Sequence, residues 1–443
     1  MRRKRTPITL ALLLSLGAAA LGTPATAATT PRPDAAVVDA LGRAAHPLRT
    51  VEPGGDTRDL RALDRVIGAA PVVGLGEATH GSHEFFALKD RVFRHLVEEK
   101  GFRTFALETS WSTGLRLDAY VVHGTGELRR IMRDEFQRDY LWWNNTDYLR
   151  LIEWMRAYNI RHPGDPVRFL GDDLAWTGPE VYDEVQTRVR AARPADAARL
   201  AELYRGLRPT RATGTYIERY LNTPLAARQD MARRTGEALA LVRRLPATDP
   251  ADRARLVQQA TAIDRTARQY AFDFEDPAQL ADAMRYRDEA MAANVLWWQR
   301  HTGTKVLLSA HDAHVGLVPQ DPAHYPKVQG AYLRDRLGRG YVSVGVTFGQ
   351  GSFNATGPDG TIRRWTLGPA PSGGNEQLLD RVRPGDYVLD LRSVRSPARA
   401  WLAVARPTRM IGTAYPQGPS EIALARNHDV LIHLHRVGAA RLR

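Results

Sequence analysis

Short apolar runs alternate with longer segments of helical period along most of this chain, and that alternation constrains the fold more than any other feature. The runs lie at residues 71–75, 103–107, 167–170, 305–309, 341–348, 387–391 and 430–435. Most are nearly continuous in apolar residues, the pattern of a strand buried on both faces. Amphipathic helices fill the intervals. After the first run, residues 82–99 carry Ser82 as a candidate N-cap, with Phe86, Val92, Leu96 and Val97 on one broad apolar face. The implied class is α/β, a mostly parallel central sheet sandwiched by helices. The C-terminal third is richer in strands and in Gly/Pro turns, so antiparallel edge strands are expected there.

The middle of the chain breaks the alternation. Residues 179–301 read as helix alone, in segments 180–193, 195–207, 224–245, 251–274 and 280–300. Thr223 is placed to cap the third, with Pro224 at its first helical position and Pro246 stopping it. The chain therefore divides into an N-terminal part of the α/β core (28–178), a large helical insertion (179–301) and a C-terminal part of the core (302–443). The insertion reads equally as a lid or substrate wall and as a plain stabilising layer. Ahead of the core, Arg2, Arg3, Lys4 and Arg5 precede an apolar stretch from Ile8 to Leu21, and Ala25-Thr26-Ala27 offers a cleavage site. Residues 1–27 are expected to be a signal peptide and the product secreted. No later stretch reads as transmembrane, so stable membrane insertion is not expected.

The formal charge is +13. It is carried almost wholly by arginine, Lys4, Lys89, Lys100, Lys305 and Lys327 being the only lysines. These arginines are spread among carboxylates along the helices, whereas a nucleic-acid surface clusters its cations on one face. Nucleic acid is therefore not an expected partner. There is no cysteine, which excludes a thiol nucleophile, thiolate metal ligands and disulfides.

Charged and imidazole groups gather where the apolar runs end. Glu77, His80 and His83 lie in GLGEATHGSHEFF, Glu108 follows the second run, Asp172 and Asp173 the third, and His311 and His314 the fourth. Open α/β sheets build their sites at the carboxyl ends of their strands, so the pattern points to an enzyme. Glu77 can fix the tautomer of His80 and make it a general base. Glu108 should approach the same pocket if its strand neighbours that of Glu77. His311 stands nearer its strand end than His314, which reads as a supporting or substrate-binding residue. One of the two aspartates is a candidate N-cap. Lys89 is a rare lysine one to two turns from the histidine loop, and Trp142-Trp143 can wall an apolar ligand. No G-x-S-x-G elbow or H-E-x-x-H pattern occurs. Four histidines and two glutamates could still hold a metal ion, so metal-assisted hydrolysis stays open beside metal-free water activation. A binding protein without catalysis is the third reading.

The segments GLGEATHGSHEFFALKDRVFRHLVEEKGF, FALETSW, RDEAMAANVLWW, SAHDAHVG and MIGTAYP…HDVLIHLHRV, in this order, resemble the erythromycin esterase family of macrolide-lactone hydrolases and their bacterial relatives. The resemblance implies a carboxylic ester hydrolase without a cofactor, in which a histidine activates water for attack on an ester or lactone carbonyl of a small molecule. His80 matches the base, with Glu77 beside it, Glu108 and His311 completing the cluster, and Lys89 or His311 available to the oxyanion. The Gly-x-Asp motif points to Asp173. The family usually carries Arg where this chain has Lys89, and Asn where it has Asp312. Its antibiotic-resistance members are typically cytoplasmic, so the export signal is a further departure.

Overall fold

A computed structural model describes residues 35–210, 212–246 and 249–443. The expected signal peptide lies outside the described residues. Eleven strands are found among them: β1 (His46–Pro47), β2 (Val72–Leu75), β3 (Phe102–Ser110), β4 (Arg168–Asp173), β5 (Lys305–Ser309), β6 (Tyr341–Thr356), β7 (Ile362–Leu367), β8 (Tyr387–Asp390), β9 (Arg406–Thr408), β10 (Ser420–Ile422) and β11 (Val430–Val437). The main sheet runs β1-β8-β11-β6-β2-β5-β3-β4, with β7 paired to β6, and β9 and β10 form a separate pair. The strands from β11 to β4 are all parallel. β1, β7 and β8 pair antiparallel.

The strands alternate their side chains between two cores. Val73 and Leu75 of β2, Phe105 and Leu107 of β3 and Leu307 of β5 pack with the helix His83–Lys100, through Phe85, Phe86 and Phe93. Val72, Ala106, Val306 and Leu308 face the opposite layer, where Val295 and Trp298 of the helix Pro277–Thr302 cover them. A strand sandwiched in this way must be apolar at successive positions, which is why the runs read as continuous.

Ser82 is the N-cap residue of His83–Lys100, but its hydroxyl donates to Ser352 O at 3.2 Å and makes no capping bond. Between β4 and β5 the described residues form the helices Pro179–Ala192, Pro194–Leu203, Thr213–Asn222, Leu225–Arg243, Pro250–Gln269 and Pro277–Thr302. Helix Thr213–Asn222 had no counterpart in the sequence reading. Thr223 ends that helix and does not start the next, its hydroxyl donating back to Arg219 O at 2.8 Å. Pro224 takes the N-cap position instead. No described helix is long and apolar enough to cross a membrane.

One topological expectation needs correction. β3 does not neighbour β2, because β5 returns from the helical segment and inserts between them. The consequence for the site is favourable. Three strand ends carrying Glu77, His311 and Glu108 become consecutive, and the last two meet directly.

Candidate active site

The loop after β2 is pinned along its whole length. Gly76 N donates to Val344 O, Asp312 N to the carbonyl of Glu77 at 3.0 Å, Ile411 N to that of Ala78 at 2.7 Å, and Asn354 N to that of Gly81. Gly76 is required, because a Cβ there would collide with the Asp312 carboxylate that receives Val346 N. His80 and Glu77 are thereby held with Nδ1 2.7 Å from Oε1, at 1 % and 0 % exposure. The other Glu77 oxygen accepts from the Lys89 ammonium, which also donates to Ala310 O at 3.2 Å. With Nδ1–H committed to the carboxylate, the neutral form of the His80 ring carries its lone pair on Nε2. That nitrogen is buried and has no hydrogen-bond partner among the described residues. Trp143 meets the imidazole edge-on, with ring centroids 5.0 Å apart, and is fixed by its Nε1–H donating to Glu108 O at 2.8 Å.

His311 is a different kind of histidine. Its Nδ1 accepts from Ala313 N at 3.2 Å, so its Nε2–H donates to Ile411 O at 3.3 Å. Burial, then the neighbouring His80, push its pKa well below the ordinary histidine range. It packs against His80 at 4.9 Å between centroids as a neutral wall whose two nitrogens are both used.

Glu108 sits where the β3–β4 register shifts, between Leu107 and Ser110. Such irregularities re-aim side chains. One oxygen accepts from His311 N at 3.1 Å; the other lies 3.0 Å from Arg287 Nη2 and 3.3 Å from His314 Nε2. Burial raises its pKa, but His314, His80 and Arg287 outweigh burial and leave it well below the usual carboxylate value. Arg287 clamps Asp173 through two bonds, Nε to Oδ1 at 3.0 Å and Nη2 to Oδ2 at 2.6 Å. His314 is held from both sides, with Asp288 2.7 Å from Nδ1. Burial lowers its pKa, yet Asp288 and Glu108 together raise it to about 10. His314 is therefore an imidazolium, and Arg287 Nη1, 3.2 Å from its Nε2, is a neighbour without being a donor to it.

Of the residues singled out from sequence, Glu77, His80, Lys89, Glu108, Trp143, Asp173, His311 and His314 come together in one buried network. Asp172 borders the network without bonding to its histidines: its carboxylate accepts from the Gln329 side chain at 2.6 Å, and Gln329 N donates to Asp288 at 2.8 Å. His83 points to the surface, between Asp147 at 2.9 Å and Glu52 at 2.7 Å. Two roles shift. Lys89 gives two of its three N–H donors to Glu77 and Ala310, and the Nε2–H of His311 goes to Ile411, so both hold the network in place.

Sequence reasoning missed Arg287 and Asp288. They fall at the buried stripe of helix Pro277–Thr302, three and four residues after Met284 and before Met291. A charged pair on a helix's apolar face was the available signal. It was lost among the many arginines.

Buried carboxylates that orient one histidine and stabilise the charge of another gather at the carboxyl edge of a parallel sheet, where α/β enzymes build their sites. The erythromycin esterase family model matches residues 97–437, and the chain belongs to that family of hydrolases. It is 25 % identical over 332 residues to erythromycin esterase type II of Escherichia coli, covering 71 % of this chain and 77 % of that one. A putative hydrolase of Bacillus subtilis, YbfO, is 22 % identical over 402 residues, 86 % of each chain. A solved Bacillus cereus protein superposes with TM-score 0.85 at 26 % identity, over 93 % of this chain and all of that one. A succinoglycan biosynthesis protein gives 0.82 at 27 %, over 92 % and 98 %. A variant of the erythromycin esterase EreC in its open conformation gives 0.67 at 17 %, over 88 % and 96 %, a likeness of fold.

Proposed function

We propose that this hydrolase cleaves an ester or lactone bond in a bulky, largely apolar small molecule by direct attack of water. The observation that carries the reading is His80, with Nδ1 bonded to Glu77 and a buried Nε2 that no group among the described residues engages. Nε2 takes a proton from water as the oxygen attacks the carbonyl carbon. Positive charge for the developing oxyanion comes from Arg287, the most open of the buried cations in the network at 7 % side-chain exposure. Collapse breaks the C–O bond, and the proton on Nε2 passes to the leaving alkoxide. The products are an acid and an alcohol, joined in one chain when the substrate is a lactone.

No metal is needed in this scheme. The carboxylates that would ligate one are already neutralised by Lys89 and Arg287, which favours the metal-free reading over a metal-assisted one. His80 is 1 % exposed, so a bulky substrate enters only when the surrounding wall parts. The existence of an open conformation in EreC supports such a motion. The basic, then apolar, N-terminal residues support an exported enzyme acting on extracellular molecules, macrolide antibiotics among them.

The test is mass spectrometry of macrolides, other lactones and simple esters incubated with wild type and His80→Ala in ¹⁸O-water, with and without chelator. We expect one labelled oxygen in the acid product, no chelator effect, and at least about a thousandfold loss in His80→Ala with unchanged melting temperature. Undiminished turnover by His80→Ala sinks the proposal. Substrates bound but never converted would favour a binding protein.

A further inference from the structure

The closing segment HDVLIHLHRV, part of the family resemblance, has no place in the catalytic scheme, yet it carries two histidines two residues apart on β11. Residues i and i+2 of a strand share a face, and Asp380, just after the helix Asn375–Leu379, lies against both. Among the described residues, Asp380, His433 and His435 form a group whose potential ligand atoms all lie within 4.8 Å of one another. We propose that these three side chains bind one divalent transition-metal ion of the zinc type, apart from the catalytic network and two strands from β2.

Three features support a built site beyond proximity. The first is the orientation of the imidazoles. His435 Nε2–H donates to Arg383 O at 2.7 Å, and the carbonyl can only accept, so Nδ1 is the ligating nitrogen. His433 Nδ1 lies 3.0 Å from the Thr347 hydroxyl, leaving Nε2 to face Asp380. Anchoring the far nitrogen of each histidine is how proteins orient imidazole ligands. The second is spacing. The edges of a tetrahedral zinc site are about 3.3 Å. His433 Nε2 is 3.4 Å from Asp380 Oδ1, and the 2.6 Å contact of Asp380 Oδ1 with His435 Nδ1 would have to lengthen on metal entry, by a swing of the partly exposed carboxylate. The third is room. Gly349 lacks the Cβ that would collide with Asp380 Oδ1, so this carboxylate is admitted against β6 by the choice of residue there.

Two imidazoles and one carboxylate favour zinc-like ions over calcium or magnesium, which prefer all-oxygen shells. The ion would tie the Asn375–Asp380 segment to β11.

The experiment uses the full chain without a polyhistidine tag, stripped by chelator and then titrated with Zn²⁺ by calorimetry and with Co²⁺ by visible absorption. Wild type and His80→Ala should each take up one equivalent. His435→Ala and Asp380→Asn should bind at least about 100-fold more weakly and lose the cobalt spectrum, and Thr347→Val about 10-fold more weakly. Because His433 is fully buried, His433→Ala risks misfolding; the partly exposed His435 and Asp380 carry the test. Absence of uptake by wild type, or wild-type uptake by both His435→Ala and Asp380→Asn, overturns the proposal.

Discussion

His80 and His314 are built from the same parts, an imidazole and nearby carboxylates in a dry interior, and they end in opposite states. His80 is hydrogen-bonded to one carboxylate, and that carboxylate is shared with Lys89. Its second nitrogen has no hydrogen-bond partner among the described residues. His314 has a carboxylate on each side, Asp288 and Glu108, and burial cannot overcome the two together. His314 is therefore a fixed positive charge, while His80 keeps one nitrogen outside its hydrogen-bond network. The lesson concerns counting: the number of carboxylates bonded to an imidazole, more than burial, sets whether it is held charged, and in the proposed scheme that difference separates the base from its electrostatic support.

The sharpest way to break this contrast is Glu77→Gln. An amide can donate to Nδ1, which moves the ring proton to Nε2 and removes the lone pair from the reactive side. We expect kcat to fall about 10²–10⁴-fold, with KM changed little. If kcat stays within twofold, Glu77 does not set the tautomer and the contrast fails. Next in size is Arg287→Met, which leaves Glu108 and Asp173 buried without their shared cation. Removing one partner of a buried ion pair costs about 3–5 kcal/mol. Chemical denaturation should show it, and adding Asp173→Asn should recover part. A loss below about 1 kcal/mol would mean that the carboxylates are paired elsewhere.

The strand ends were legible because a sheet buried on both faces writes itself as uninterrupted apolar runs, and polar residues at their ends stand out. Glu77, Glu108 and His311 were found that way. Their arrangement was not legible. Nothing local records that β5 returns between β2 and β3, since strand order is decided by long-range packing after some 120 residues of helix. Arg287 and Asp288 were hidden for a related reason. They come from the last of those helices, and their role exists only once it crosses the strand ends. Chain termini of helices were blurred by proline: Pro224 occupies an N-cap position usually taken by a polar side chain, which made Thr223 look like the cap.

The histidine contrast also sets a pH dependence. The folded His314 titrates near 10, above its ordinary 6.5. A group raised on folding contributes stability that is complete below the unfolded value and is lost as pH climbs through the folded one. His314→Asn should therefore be less stable than wild type at pH 6, and the gap should close between about pH 6.5 and pH 10. Parallel melting curves at every pH would show that His314 is not an imidazolium.

The smallest effect belongs to His83, and it tests whether pairing with carboxylates is enough to define a site. His83 also has two, Asp147 and Glu52, and its pKa is raised to about 9, the Asp147 hydrogen bond outweighing burial. The chemistry matches that of His314, but the setting does not. The imidazole is 30 % exposed and Glu52 53 % exposed, so water competes for every bond. Pairs of this kind are worth about 0–1 kcal/mol. His83→Gln should lower stability by no more than that, a loss that added salt diminishes in the wild type, and kcat/KM should remain within about twofold. A tenfold fall in kcat/KM would place the motif's second histidine in the reaction after all, and the distinction between buried and half-exposed imidazolium would have to be abandoned.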